Sequence, residues 1–138
     1  MTAGYSGTPL AKKLGIKEGH RVATVGAPAH FARLLEPLPA SVRLRSDLRG
    51  RGGFDVLVIF VRTERELADR FDRARARLER DGGLWVSWPK QSSLLATGLR
   101  ESDVRAYGLS TGLVDNKVCA IDEDWSGLRF VVRLRDRR

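Results

Sequence analysis

The sequence predicts an α/β protein: a three-layer sandwich in which helices cover both faces of a mostly parallel sheet, with an antiparallel C-terminal hairpin strand. Three observations predict it. Strand and helix periodicities alternate along the chain, a pattern that joins parallel strands through helical crossovers. "FDVLVIFV", from Phe54, is a continuous apolar run of β-branched and aromatic residues, as expected of a strand buried on both faces. The last two apolar runs are separated only by "DEDWSG", a hairpin-length turn.

Each element has a local reason. Thr8 and Pro9 read as N-cap and first residue of a short opening helix, "TPLAKKLG", stopped by Gly15. "HRVATVG" follows as a strand. "PAHFARLLE" puts Phe31, Leu34 and Leu35 at helical spacing before Pro37 and Pro39 break the chain, and "SVRLR" alternates as a short strand ahead of the glycine-rich "RGRGG". After "FDVLVIFV", a long helix over 63–80 carries Leu67, Phe71, Ala74 and Leu78 on one stripe, with Thr63 as cap and Gly82 and Gly83 as stop. "LWVSW" is a buried strand ended by Pro89, which has no N–H for a ladder. A helix over 102–111, with Ser102 as cap and Gly112 as stop, leads to "LVDNKVCAI". In the final strand, "GLRFVVRL", Leu128, Phe130, Val132 and Leu134 face one way and Arg129, Val131 and Arg133 the other.

A chain of 138 residues has the size of one domain, divided here into an N-terminal helical segment over 1–18 and an α/β core over 19–138. No apolar run approaches the roughly 18 residues of a membrane span. "MTAGYSGTPLAKK" lacks the apolar core of a signal peptide, and the lone Cys119 fits a reducing compartment. A cytoplasmic protein without membrane contact is expected. The net charge of +8 invites a nucleic-acid reading, since bound phosphates release counterions. Its distribution weakens that reading. Of 25 basic residues 20 are arginine, a bias that codon preference also produces, and the long helix mixes its arginines with acids. Two clusters stay unneutralised: Arg43, Arg45, Arg49 and Arg51, and Arg129, Arg133, Arg135, Arg137 and Arg138.

Taken together, the pattern is Rossmann-like. The closing hairpin and the run "DVLVIFV … LERDGGLWVSW" resemble class I methyltransferases, with one helix–strand–helix segment missing after "SVRLR". The resemblance implies a strand order of 2-1-3-4-6-5, which sets the two basic clusters at opposite ends of the sheet rather than along one groove. "AGYSGTPLAKKLGIKEGHRV", "GGLWVSWPK" and "GLVDNKVCAIDEDWSGLRFVVRLRD" further resemble a small bacterial family known only as a domain of unknown function. That likeness covers nearly the whole chain and brings no activity, substrate or catalytic residue with it.

The motifs argue against an intact cofactor site. Where a dinucleotide- or S-adenosylmethionine-binding strand carries G-x-G-x-x-G, "VATVGAPAHFA" has only Gly26, and the second strand ends in Arg45 where an acid would hold ribose hydroxyls. No cofactor is expected. One cysteine with two isolated histidines, His20 and His30, gives no metal spacing and no catalytic triad. Ligands of open α/β sheets bind outside the carboxyl ends of the strands. That edge holds Gly26, Arg45, Ser46, Arg62, Thr63, Trp88, Pro89 and Lys90 and, from the hairpin, Asp122, Glu123, Asp124 and Trp125. Lys90 with Ser92 and Ser93 suits an anion, against the alternative of an ordinary exposed loop; Trp88 and Trp125 suit a planar ligand, against the alternative of core. Asp115, Lys117 and Cys119 alternate onto one face, where an ion pair and an inert buried thiol are the plain readings. The candidate binding residues are therefore Gly26, Trp88, Lys90, Ser92, Asp122 and Trp125, with no catalytic residue or metal. The expected function is a non-catalytic domain binding a small anionic ligand or a protein partner at this edge. The alternatives are a degenerate methyltransferase-like enzyme and a basic nucleic-acid-associated factor.

Overall fold

The computed structural model describes residues 7–137. The start of the expected helical segment, residues 1–6, and Arg138 of the C-terminal cluster lie outside the described residues. Strands β1 (Arg21–Val25), β2 (Arg43–Arg45), β3 (Phe54–Phe60), β4 (Leu78–Pro89), β5 (Val114–Ala120) and β6 (Trp125–Val131) form one sheet in the order β2-β1-β3-β4-β6-β5. The β2-β1, β1-β3 and β3-β4 pairs are parallel; β6 runs antiparallel to both β4 and β5. The expected order and the closing hairpin are both observed.

Helices lie on both faces. On one, α3 (Glu64–Arg75) and α4 (Glu101–Ser110) bury Leu67, Phe71, Ala74 and Val104 against Leu57, Ile59, Leu84, Val86 and Phe130. On the other, the four-residue helices α1 (Leu10–Lys13) and α2 (Phe31–Leu34) cover Val56, Val58, Phe60 and Trp85 with Leu10, Leu14, Phe31 and Leu35. The fully buried Trp85 donates its indole N–H to the Leu14 carbonyl at 3.0 Å, fixing the end of α1 to the sheet.

Several boundaries differ from the pattern in the sequence. Thr63 caps α3 as expected, its hydroxyl accepting from the Glu66 N–H at 3.1 Å, but the helix ends at Arg75 and Gly82 and Gly83 are not its stop. The Arg77 carbonyl already accepts from the Phe54 N–H at 2.7 Å, so pairing with β3 captures the chain early and Leu78 becomes the first residue of β4. Between the Phe54–Leu78 and Val56–Gly83 partners β4 carries extra residues, and a Cβ at Gly82 would lie 2.7 Å from the Asp55 carbonyl oxygen. Glycine therefore lets the bulge close against β3. Thr8 does not cap α1. Ser102 does not cap α4 either: Arg100 holds the N-cap position, and the Asp103 carboxylate accepts its N–H at 2.9 Å. The alternation of β6 stops at Val131, and Leu134 enters a 3-10 turn, Leu134–Asp136, where it is exposed. A bulge at Asn116 shifts the phase of β5, so Asp115 meets Arg105 of α4 at 2.9 Å while Lys117 donates to the carbonyl of Lys13, the last residue of α1. The two do not share a face.

Two outcomes follow from the α3–α4 side. A Cβ at Gly108 would overlap the fully buried Phe130 ring, which is also stacked edge-on against Phe71. Gly108→Ala gains up to about 1 kcal/mol of helix propensity but overpacks this contact, and a net destabilisation of about 2 kcal/mol is expected in urea unfolding. Tyr107 donates its hydroxyl to Asp72 at 2.7 Å, which, with some desolvation, pushes the phenol up to about 12. A raised phenol holds its proton longer in the folded state, so its contribution is complete below about pH 10 and is lost as pH rises toward 12. Tyr107→Phe should flatten that alkaline limb of the stability profile.

Candidate functional site

The topological switch point lies between the carboxyl ends of β1 and β3, because the chain leaves β1 toward β2 on one side and β3 toward β4 on the other. A crevice of about 240 Å³ opens there, lined by Gly26, Pro28, Phe60, Arg62, Arg70 and Trp125, with Glu66 at its wall. Gly26 has φ +72°, which permits the turn out of β1. A Cβ at that position would collide with Arg70 Nη1, because the Arg70 guanidinium is laid across the glycine to donate to the Phe60 carbonyl. Glu66 holds the pair of arginines: its Oε1 accepts from the Arg62 N–H at 2.8 Å and its Oε2 lies 3.4 Å from Arg70 Nη2. The Arg62 guanidinium lies 5.7 Å from the centre of the Trp125 ring, and Trp125, Phe60 and Phe31 stack edge to face at 5.0 and 4.9 Å.

The hairpin turn forms the neighbouring rim. Asp122 Oδ1 accepts the N–H groups of Asp124 and Trp125 at 2.8 and 2.9 Å, an Asx-type turn that aims Trp125 into the crevice. Its Oδ2 lies 3.0 Å from His30 Nε2, linking the loop after β1 to the hairpin. The Lys90 N–H donates to the Asp124 carbonyl and the Ser93 hydroxyl to the Asp124 carboxylate, both at 2.8 Å, so the chain leaving β4 is tied to the same turn.

Of the residues singled out in the sequence, Gly26 and Trp125 meet at the crevice and Asp122 positions Trp125. Lys90 stands at the end of β4, and its ammonium makes no hydrogen bond among the described residues. Ser92 is exposed, whereas Ser93 carries the link to Asp124. Trp88 packs in the α3–α4 core and Trp125 in the α1–α2 core, on opposite faces of the sheet; the two rings do not flank one ligand. Arg70, Glu66 and the His30–Asp122 pair were not singled out. The first two sit within a charge-mixed helix, and 92 positions separate the last. Arg45 does stand at the end of β2, beside a second, largely apolar hollow of about 320 Å³ lined in part by Thr24, Ala27 and Phe31. It pairs with Asp47 at 3.1 Å; the Arg49 N–H, and then Arg45, hold that carboxyl below its usual range. Cys119 is mostly buried, and burial pushes its thiol up. No group of His, Cys, Asp or Glu among the described residues is arranged to hold a metal ion, and no described helix is long and apolar enough to cross a membrane.

Sheet order, closing hairpin and switch-point crevice together define a methyltransferase-like Rossmann domain. Solved structures agree. A TehB-like SAM-dependent methyltransferase from Corynebacterium glutamicum is superposable with a TM-score of 0.59 at 11% identity, over 95% of this chain and 91% of that one. Magnesium protoporphyrin IX methyltransferase from Synechocystis, solved with bound SAM, gives 0.62 at 14% identity over 90% and 74%. Fibrillarin from Aeropyrum pernix, with natively bound S-adenosyl-L-methionine, gives 0.60 at 16% over 93% and 70%. At these identities the likeness is one of fold. By sequence, residues 44–134 match the family described as a protein of unknown function (DUF3052), and the chain belongs to that family. No curated protein matches the chain in sequence.

Replacing Asp122 separates its two roles. Asp122→Ala leaves the Asp124 and Trp125 N–H groups without their acceptor and is expected to cost about 2 kcal/mol, whereas Asp122→Asn keeps an acceptor oxygen and should cost less than about 1 kcal/mol in the same unfolding experiment.

Proposed function

We propose that this domain binds a small anionic ligand at the carboxyl edge of the sheet and does so without S-adenosylmethionine. The observation that carries the reading is the pair of guanidiniums, Arg62 and Arg70, set beside the Gly26 turn and the Trp125 ring at the switch point. The residues present do not fit the cofactor bound by the fold neighbours. Arg70 fills the close approach to Gly26 that an intact loop keeps open, Arg45 stands where an acid would hold ribose hydroxyls, and two arginines face the space a cationic sulfonium would enter. An anion finds the opposite situation: Arg62 offers forked donors, and Trp125 offers a flat apolar wall. Lys90 and Ser92, at the exit of β4, extend the same edge toward a larger ligand.

Isothermal titration calorimetry against inorganic phosphate, nucleoside mono- and diphosphates and small dicarboxylates, with S-adenosylmethionine and S-adenosylhomocysteine alongside, tests this. A saturable signal is expected from at least one anion, weakened roughly tenfold or more by Arg62→Ala, the loss typical of one charge-assisted contact. Saturation by S-adenosylmethionine or S-adenosylhomocysteine while every anion stays silent would transfer the domain to the enzyme reading.

A further inference from the structure

We propose that the β2 edge of the sheet and the glycine-rich loop after it form a docking surface for the phosphate backbone of a nucleic-acid duplex. The surface is distinct from the switch-point crevice. Strand β2 is the last strand on its side, and its Arg43 and Arg45 are exposed; as alternate residues of one strand they share a face, roughly 6.6 Å apart along it. Arg49 and Arg51 follow, both exposed, in a loop whose Gly50 and Gly52 take φ +90° and +86°.

That loop is built from below. Arg21 donates to the Gly53 and Arg51 carbonyls at 2.6 and 3.0 Å; Arg77 donates to Gly52 at 2.7 Å and to Leu48. Both guanidiniums lie over the Phe54 ring, at 4.8 and 5.1 Å. Two arginines are therefore spent holding the backbone that presents two others, which lowers the ordering cost of binding. The one acid between Arg43 and Arg51, Asp47, is occupied by the Arg49 N–H and Arg45, and Glu79 borders the far end at Gly53.

Three features select the partner. The cationic groups are arginines, whose planar fork matches phosphate oxygens. Residues 41–53 contain no aromatic side chain, so there is no platform for stacking unpaired bases and the outside of a duplex is the better match. Among the described residues the large exposed hydrophobics, Leu94, Leu109, Val118 and Leu134, all lie elsewhere, which leaves none of them here to insert into a lipid surface.

Fluorescence anisotropy of a labelled 20-base-pair duplex, titrated with the full chain over a salt series, gives the test. Binding should weaken with salt with a log–log slope of about −3 to −4 if each of the four arginines meets a phosphate. Replacing Arg43, Arg45, Arg49 and Arg51 together by alanine should reduce low-salt affinity at least about tenfold and flatten the slope. A variant of equal charge loss elsewhere, Arg33, Arg65, Arg73 and Arg135 to alanine, should stay within about threefold of the parent. Equal loss in both variants, salt-independent binding, or displacement of the duplex by polyglutamate as readily as by unlabelled duplex would overturn the proposal. Circular dichroism of both variants confirms that they fold.

Discussion

The hydrogen bond from the Trp85 indole to the Leu14 carbonyl ties the end of α1 to β4, the strand that pairs with both halves of the sheet. Helix α1 has four residues, too few to persist on propensity, and its buried leucines belong to the same core as Val56, Val58 and Phe60 of β3 and Trp85 of β4. Trp85 is fully buried, and its N–H needs a partner there; the Leu14 carbonyl, at the C-cap of α1, needs a donor. Each satisfies the other. The same strand places Trp88 in the opposite core, so β4 supplies a large aromatic to both layers of the sandwich and divides the sheet into its parallel and antiparallel halves.

From β4 the constraints run outward to the site. Antiparallel pairing with β6 sets Pro89 opposite Trp125, and the ladder ends where proline has no N–H to give. The Lys90 N–H is then taken by Asp124, in the turn that Asp122 organises and that turns Trp125 onto Phe60. Trp125 is thus fixed from the hairpin side, Phe60 from β3 and Arg70 from α3. The crevice is bounded by groups anchored on β3, on α3 and on a hydrogen-bonded hairpin turn, which is what a preformed ligand site requires.

The layers were legible because they depend on period and spacing: continuous apolar runs for buried strands, a 3.6-residue stripe for α3, a hairpin-length turn before the last strand; the strand order followed from the resemblance to class I methyltransferases. What the sequence concealed were the places where one element overrides the pattern of another. "LERDGG" continues the polar and charged run of α3, yet β3 pairs with it, because the backbone groups of Phe54 need partners at the start of that strand. Asn116 preserves the alternation of "VDNKVCA" in letters while the bulge reverses it in space. Gly26, Asp122 and Trp125 could be named from strand ends alone; Arg70 could not, since in sequence it is one of several arginines on an acid-rich helix and only the second turn of α3 brings it across Gly26.

Arginine content misleads in the same way when it is read as a sum. Arg21, Arg70, Arg75, Arg77, Arg133 and Arg137 each donate to backbone carbonyls at loops or strand ends. These carbonyls lie where ladders and helices stop, and a guanidinium can serve two of them at once while lying over an aromatic ring, as that of Arg77 does over Phe54. An ammonium would serve as a point charge without the fork. Much of the positive charge is therefore consumed as internal hydrogen bonding. The C-terminal cluster, which balances the β2 cluster on paper, is partly spent this way, with Arg133 on Gly112 and Arg137 on Val132. The β2 edge keeps its arginines outward because Arg21 and Arg77 already satisfy its loop, and the functional content of the charge lies in which arginines have no carbonyl left to serve.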